Sequence, residues 1–302
     1  MFGTNEIIGQ KYFKDAPADS LYVTSMFFTL QGEGPYAGMP AMFIRLGKCN
    51  LACSFCDTFF DDGNWMTYTE IESSMYHTVC NHWNMENPFD MVPRWALPNL
   101  PSTVEAGRLG PYPNIVLVVT GGEPLLQSNL SKFLDNQIPH FKAVQVETNG
   151  TIDRTLSSGV TVVCSPKCSE KNGKAIKYLA PSKFILERAD CLKFVMSNNK
   201  ESPYSSVPEW AHTWKANNPN KEIYCSPMNV YNDFPQKIKL LRAEKGQITM
   251  AERSTVDEKV SFWEPGLLNL AENQANHEYT GNYCLNHGFK LNLQQHLYVS
   301  MA

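Results

Sequence analysis

The feature of the chain that most constrains its fold is a regular alternation of short apolar runs and helical stretches. The clearest run, residues 115–120 (IVLVVT), is apolar enough to be a strand buried on both faces. The same patterns predict strands over 21–30, 41–46, 143–147, 160–164, 191–196 and 222–225, and helices over 69–83, 125–136 and 208–217. Strands that alternate with helices at this spacing form parallel βα units. Because about six units are present, fewer than a closed barrel needs, we expect an α/β fold of the partial (β/α)6 barrel type.

Composition indicates one folded domain. Of the 302 residues, 43% are hydrophobic and 19% are charged, which is typical of a globular protein and not of a disordered one. We interpret residues 1–302 as a single domain with two irregular parts. Residues 59–114 read as an insertion made of one helix and an irregular loop that contains several prolines. Residues 243–285 are polar and weakly patterned, and the sequence assigns them no role.

The charge and hydropathy of the chain exclude some classes of partner. A net charge of −4 argues against a surface that binds phosphate backbones, so no nucleic-acid partner is expected. No apolar run is long enough to span a bilayer, and the first residues lack the layout of a signal peptide. We therefore expect a cytoplasmic protein with no membrane partner.

The nine cysteines fall into two groups. Six are scattered among mostly apolar residues and are interpreted as buried free thiols: Cys80, Cys164, Cys168, Cys191, Cys225 and Cys284. Cys164 and Cys168 are four positions apart, but no second pair stands at ligand spacing, so they are not assigned to a metal. The other three, Cys49, Cys53 and Cys56, belong to one short loop that follows a predicted strand.

Three thiols in one loop indicate an iron–sulfur cluster with one iron left open. Cubane clusters take four cysteine thiolates, so a set of three leaves one iron free to bind another molecule. The alternatives are a zinc site that lacks one ligand, or a chance grouping of cysteines. A Cys₃His zinc site would need a distant partner, because the histidine nearest to this loop in sequence is His77.

The spacing of the three cysteines, with Phe55 before the last, resembles the signature of the radical S-adenosylmethionine (SAM) superfamily. The resemblance implies that the amino and carboxylate groups of SAM chelate the open iron of a [4Fe–4S] cluster. It also implies that reduction of the cluster cleaves SAM to a 5′-deoxyadenosyl radical, which abstracts a hydrogen atom from the substrate. The cofactors would then carry the chemistry, and the protein would position and shield them.

Three further strands end in glycine-rich or polar segments, where parallel α/β folds place their ligands. The segments are 120–124 (TGGEP), 147–150 (ETNG) and 165–167 (SPK). Each could be an ordinary turn, but the first resembles the superfamily motif that holds the methionyl amine of SAM. The resemblance implies a set of SAM contacts at Gly122, Glu123, Glu147, Ser165, Pro166 and Lys167. Lys193, inside an apolar strand, is either a snorkelling lysine or a cation of the site.

A longer set of segments resembles one family of this superfamily, 7-carboxy-7-deazaguanine synthase. The set consists of 29–35 (TLQGEGP), 38–41 (GMPA), 43–46 (FIRL) and 56–58 (CDT), together with 147–150 and 165–167. The resemblance implies conversion of 6-carboxy-5,6,7,8-tetrahydropterin to 7-carboxy-7-deazaguanine with release of ammonia, in queuosine and 7-deazaguanine biosynthesis. It implies substrate contacts at Leu30, Gln31, Gly32, Glu33, Arg45 and Thr120.

Those residue types suit a pterin. Gln31 and the Glu33 carboxylate match its donor–acceptor edge, and the planar guanidinium of Arg45 suits its carboxylate. The resemblance also implies Mg²⁺ at Thr58, a homodimer, and an electron donor such as flavodoxin or ferredoxin. The chain departs from the family pattern at Ser226, where a glutamine is frequent, which puts a ribose contact there in doubt.

Two other functions share part of this signature. An activating enzyme for a glycyl-radical enzyme has the same cysteine spacing, but it has no use for the pterin-matching residues Gln31 and Glu33. A cluster-bearing homologue that acts mainly as a binding protein would use the 59–114 insertion. Cluster-dependent cleavage of SAM discriminates an active enzyme from the binding protein.

Overall fold

The structure is a computed structural model that describes residues 7–56, 58, 60–61, 63–82, 112–231 and 268–299. In chain order its first half contains β1 (Ser20–Leu30), β2 (Pro40–Leu46), β3 (Asn64–Thr67), α1 (Tyr68–His82), β4 (Tyr112–Gly121), α2 (Leu130–Gln137) and β5 (Phe141–Thr148). The second half contains β6 (Val160–Cys164), β7 (Cys168–Lys171), β8 (Lys174–Tyr178), α3 (Lys183–Arg188), β9 (Cys191–Met196), α4 (Glu209–Asn217), β10 (Glu222–Pro227), α5 (Leu270–His287), β11 (Lys290–Leu291) and α6 (Gln295–Val299).

Nine strands form one sheet in the order β11-β10-β9-β6-β5-β4-β2-β1-β3. Strands β2, β4, β5, β6, β9 and β10 are neighbours in chain order, and each pairs with the next in parallel. The predicted parallel α/β fold is therefore confirmed. The exception is β1, which pairs antiparallel with both β2 and β3 at the edge of the sheet.

The two faces of the parallel strands have different surroundings. Alternate apolar residues, such as Ile44, Val119 and Val146, belong to the main core with residues of the helices. The intervening positions lie on the opposite face, because side chains alternate along a strand. That face carries Arg45 and Glu147, and the period of two explains how charged residues fit into otherwise apolar strands.

A hairpin that the sequence did not predict follows β6. Strands β7 and β8 pair antiparallel, and the sequence analysis predicted no strand between β6 and β9. The loop between them is Asn172-Gly173, with φ of 52° and 71°. Two consecutive residues with positive φ form the type I′ turn that favours tight hairpins, so the sequence did carry the signal.

The weakly patterned segment 243–285 contains most of α5. Its buried residues include Asn273, Asn276 and Thr280, so the helix packs a largely polar face that hydrophobic periodicity does not detect. Asn269 caps its first turn, and Gly288 ends it in the left-handed conformation. The proposed insertion needs a correction at its end, because residues 112–114 belong to β4. Its irregular loop, residues 83–111, lies outside the described part of the chain.

None of the helices that the structure describes has the length and apolar character of a membrane span.

Candidate active site at the carboxyl edge of the sheet

A cavity of about 230 Å³ lies where the parallel strands end. It collects most of the site residues predicted from sequence: Gln31, Gly32, Glu33, Arg45, Cys49, Cys53, Cys56, Thr58, Thr120, Gly122, Glu147, Ser165 and Lys167. These residues come from six separate segments of the chain. The topology unites five of these segments because the carboxyl ends of parallel strands meet at one edge of a sheet. The segment 31–33 instead follows β1, which is antiparallel to β2, and it joins the site through the contacts of Glu33 with Lys193 and of Gln31 with Glu147.

Contacts from several elements hold the cysteine loop. At its start, the Lys48 backbone N–H donates to the Phe60 carbonyl (2.8 Å), and its ammonium pairs with Asp61 (3.4 Å). Further along, the Ser54 N–H donates to Glu170 Oε2 of β7 (2.9 Å). The unpredicted hairpin therefore clamps the loop that carries the thiols.

The three thiols fit a cluster better than a single ion. All three line the cavity and are free of disulfide bonds. Within the described ranges, no three His, Cys, Asp or Glu side chains converge closely enough to hold one metal ion. A cubane instead binds each thiolate at a different iron, so its ligands need not meet at a point. Burial raises the pKa of Cys49 and of Cys53 to about 12, so the thiolates need the positive charge of iron.

The glycine pair of the TGGEP segment allows β4 to approach the start of the cysteine loop. A Cβ on Gly122 would come within 1.8 Å of the Lys48 carbonyl oxygen, and a Cβ on Gly121 within 2.2 Å of the Leu46 carbonyl oxygen. Gly121 also has a φ of +129°, which side chains disfavour. Neither position therefore tolerates a side chain, and Gly122 remains exposed to the cavity.

Glu123 is not among the residues that line the cavity. Its carboxylate is fully buried behind the cavity wall and accepts hydrogen bonds from Leu125 N–H (2.9 Å), Thr148 Oγ1 (2.7 Å) and Asn149 N–H (2.7 Å). Burial raises its pKa, and these donors oppose the shift. These hydrogen bonds join the ends of β4 and β5 through Glu123. The contact of Glu123 with the SAM amine stays a prediction of the sequence.

Two other residues with predicted contacts, Leu30 and Pro166, are not among the residues that line the cavity. The reason is again the period of two in extended backbone. Leu30 alternates with Thr29 and Gln31, which do face the cavity, and Pro166 alternates with Ser165 and Lys167. The contacts of both residues stay predictions, at Leu30 through the backbone.

Lys167 and Arg45 are two cations of the wall. The Lys167 ammonium donates to the carbonyl (2.7 Å) and hydroxyl (2.6 Å) oxygens of Ser165, and burial lowers its pKa. The Arg45 guanidinium lies 4.7 Å from the centre of the Phe27 ring, which stacks on Phe43. This cation–π contact fixes the plane of the guanidinium at the cavity.

Lys193 is a cation of the site and not a snorkelling lysine. It is 6% exposed, and its ammonium donates to Glu33 Oε2 (2.6 Å) and Glu147 Oε2 (2.7 Å). Burial alone would lower its pKa, but the two carboxylates raise it above the ordinary value. The sequence left both interpretations open because the partners lie 160 and 46 positions away.

Polar residues from the last part of the chain line the wall or, like Asn292, support it from behind, and of these the sequence singled out only Ser226. Asn292 donates to Glu33 Oε1 (3.2 Å) and Ser226 Oγ (2.7 Å), and accepts from Gly34 N–H (2.8 Å). Ser226 also donates to Glu33 Oε1 (3.3 Å), so it supports Glu33. The wall residues that the sequence missed are Asn229, Gln294 and His296.

A loop of three free thiols beside a glycine pair, at the carboxyl edge of a parallel sheet, is the arrangement typical of radical SAM enzymes, and we assign the site to that class.

Comparison with known proteins narrows the class. The 7-carboxy-7-deazaguanine synthase of Rickettsia prowazekii is 34% identical over 212 residues, which cover 69% of this chain and 74% of that protein. The enzyme of the same name from Rhodospirillum rubrum is 30% identical over 210 residues (69% and 71%). The chain therefore belongs to the 7-carboxy-7-deazaguanine synthase family, as its motifs predicted, and is an enzyme of the lyase type.

A solved structure agrees on the fold. QueE from Escherichia coli superposes with a TM-score of 0.51 at 18% identity, over 95% of this chain and 99% of that one. No profile of a known protein family matches the chain. Membership of the synthase family implies a [4Fe–4S] cluster and SAM.

Proposed function

We propose that this enzyme converts 6-carboxy-5,6,7,8-tetrahydropterin to 7-carboxy-7-deazaguanine and ammonia. The observation that carries the proposal is a single cavity that combines three free thiols with a fixed guanidinium and a pair of carboxylates. The thiols suit a cluster, and the charged groups suit the two polar ends of a carboxypterin. The relatives from Rickettsia prowazekii and Rhodospirillum rubrum carry the synthase name.

Cys49, Cys53 and Cys56 would hold the cluster, and Gly122, Ser165 and Lys167 would contact SAM beside it. When bound, these cofactors supply a one-electron cleavage that allows a hydrogen atom to be abstracted from the substrate. The protein itself binds, orients and shields the reactants. Lys167, already oriented by Ser165, presents a positive charge to a carboxylate in this half of the cavity.

The substrate residues divide the cavity by charge. Arg45 would bind the pterin carboxylate through a planar fork, because Phe27 already orients its guanidinium. Glu33 would accept hydrogen bonds from the pyrimidine edge of the pterin, and Gln31 would donate hydrogen bonds to it. Thr120 would contact the substrate beside Arg45, because the two residues pair in register on adjacent strands. A substrate with a carboxylate at one end and N–H donors at the other would bind in one orientation, with its carboxylate at Arg45 and its donors at Glu33.

Further parts of the proposal rest on the family. Mg²⁺ would bind between Thr58, which lines the cavity, and substrate oxygens, since magnesium accepts few protein ligands. The order of the six parallel strands supports curvature into a partial (β/α)6 barrel, and one sheet from β1 to β11 supports a single domain. We also propose a cytoplasmic homodimer that takes electrons from a flavodoxin or ferredoxin.

The test is anaerobic turnover with the reconstituted holoenzyme, SAM, a reductant, Mg²⁺ and the tetrahydropterin. Mass spectrometry should detect 7-carboxy-7-deazaguanine, and the product should disappear in Cys53→Ala and Arg45→Ala. Formation of 5′-deoxyadenosine without the deazaguanine would overturn the substrate and leave the radical chemistry. If neither product forms with a complete cluster, the protein acts by binding and the proposed activity is wrong.

A further inference from the structure

The ion group formed by Lys193, Glu33 and Glu147 is the most buried charged feature of the cavity. A buried ammonium is unfavourable unless it is paired, and here one nitrogen lies within 2.7 Å of an oxygen of each carboxylate. The group carries two negative charges and one positive charge. Its arrangement holds two like charges close together at the wall of a ligand cavity, which calls for a functional explanation.

The hydrogen bonds of the two carboxylates leave a matched pair of acceptor sites. Glu33 Oε1 accepts from Ser226 and Asn292, and Glu147 Oε1 accepts from Gln31 (3.3 Å) and Gln145 (3.0 Å). Within the described part of the chain, each Oε2 accepts one hydrogen bond, from Lys193. A carboxylate oxygen has two lone pairs, so one acceptor position remains on each Oε2.

Glu147 shares a hydrogen-bond network with the residues predicted to contact the substrate. Its bonds go to Gln31 of the TLQGEGP segment and, through Lys193, to Glu33 of the same segment. Gln31 also accepts from the Glu33 N–H (3.2 Å), which completes a closed ring of contacts. These contacts support a role for Glu147 in substrate binding, in addition to the SAM contact that the sequence predicts.

We propose that Lys193 is a positioning residue that holds Glu33 and Glu147 side by side, so that their Oε2 atoms jointly bind a flat ligand edge with two adjacent N–H donors. This inference rests on the proposed function, because the amino group and ring N–H of a pterin form such an edge. Lys193 prevents the two carboxylates from repelling each other and fixes the distance between them. It does not itself touch the substrate.

The specificity of ligand binding tests the proposal without turnover. The probes are 6-carboxypterin, which is fully oxidised and unreactive, and 6-carboxylumazine, which has an oxygen acceptor in place of the amino donor. Calorimetry with the holoenzyme gives both dissociation constants. Because the oxygen of the lumazine would face the carboxylate that the pterin amino group binds, we expect the wild-type enzyme to prefer the pterin by at least about 100-fold.

Variants distinguish a positioning role of Lys193 from a purely structural one. Glu147→Gln and Lys193→Met should reduce the preference to about tenfold or less. Lys290→Met is the matched control, because Lys290 pairs with Glu222 at the exposed edge of the same sheet, and it should keep the wild-type preference. A purely structural role would weaken both probes equally and leave their ratio unchanged, so an unchanged ratio in Lys193→Met or Glu147→Gln overturns the proposal.

Failure of the proposed function gives a different result. If the wild-type enzyme binds neither probe and does not convert the tetrahydropterin, the substrate assignment is wrong, and the pterin edge with it. If the wild-type enzyme converts the tetrahydropterin but Glu147→Gln discriminates as the wild-type does, only the positioning inference is wrong.

Discussion

The two ends of the cavity are prepared for ligands in opposite ways. At the cysteine end, burial raises the thiol pKa values, so charge develops only when a metal arrives. At the acceptor end, which we define as Glu33, Glu147 and Lys193, one ammonium already pairs with both carboxylates at 2.6 and 2.7 Å. One end needs its cofactor to complete it, whereas the other is organised in advance of ligand binding.

The largest effect is expected from a substitution that removes one thiol from the cysteine end and leaves the acceptor end unchanged. Cys53→Ser should prevent the holoenzyme from retaining its cluster and abolish cleavage of SAM, because two thiolates cannot replace three. Iron and sulfide analysis with detection of 5′-deoxyadenosine measures both. Cys284→Ala, at a buried thiol of α5, is the control and should keep full iron content. Normal iron content in Cys53→Ser would contradict the assignment of the cluster ligands.

A second prediction concerns the uncharged state of the cysteine end. In the iron-free protein, Cys49 and Cys53 should react with iodoacetamide at pH 8 at least about tenfold more slowly than a free thiol, because a pKa of about 12 leaves few thiolates. Their rates should rise with pH up to about pH 12. Peptide mass spectrometry measures each site, and a rate equal to that of free cysteine would show that burial does not protect these thiols.

The third prediction concerns a substitution that removes hydrogen bonds from the acceptor end and leaves the cysteine end unchanged. Asn292→Ala removes two donors and leaves Gly34 N–H unpaired, so the free energy of unfolding should fall by about 2 kcal/mol and KM for the pterin should rise about tenfold. Iron content should not change. Denaturant titration and steady-state kinetics measure these effects. Gln274→Ala, at an exposed amide of α5, should change neither, and loss of iron in Asn292→Ala would show that the two ends depend on each other.

The smallest effect should come from the clamp on the cysteine loop. Glu170→Gln removes a negative charge that raises the pKa of Cys53, so the reduction potential of the cluster should shift in the positive direction. A redox titration monitored by electron paramagnetic resonance measures the shift. The control is Glu222→Gln on β10, which should leave the potential unchanged. A shift to more negative potential would mean that a weaker hydrogen bond from the Ser54 N–H, and not the lost charge, dominates.

The sequence alone predicted the cysteine end of the cavity more completely than the acceptor end. The cysteine end depends on local spacing, so the sequence alone was enough to single out Cys49, Cys53 and Cys56. The acceptor end depends on distant partners, since Glu33 and Asn292 are 259 positions apart. No local pattern reports such a pair, and for this reason the role of Lys193 follows only from the packing of the strands.

Within the fold, apolar strands were predicted well because burial on both faces leaves a clear run of hydrophobic residues. Helix α5 was missed because its buried face is largely polar, and the β7–β8 hairpin because its signal is the two-residue turn at Asn172 and Gly173. The burial of Glu123 is another feature that local spacing does not report. Spacing placed the residue at the right strand end, but three backbone and hydroxyl donors turned its carboxylate into the core.

The bond from Gly34 to Asn292 has a consequence for the order of events during protein synthesis. The loop after β1 leaves the ribosome early, yet the side chain that accepts from the Gly34 N–H is made only after β10 and α5 have been translated. In the cysteine loop, the partners of the Ser54 N–H and of the Lys48 ammonium lie within the first 170 residues and are made sooner. During synthesis, these contacts of the cysteine loop can therefore form before the hydrogen bond between Gly34 and Asn292. Pterin binding would then require a later stage of folding than the positioning of the cysteines.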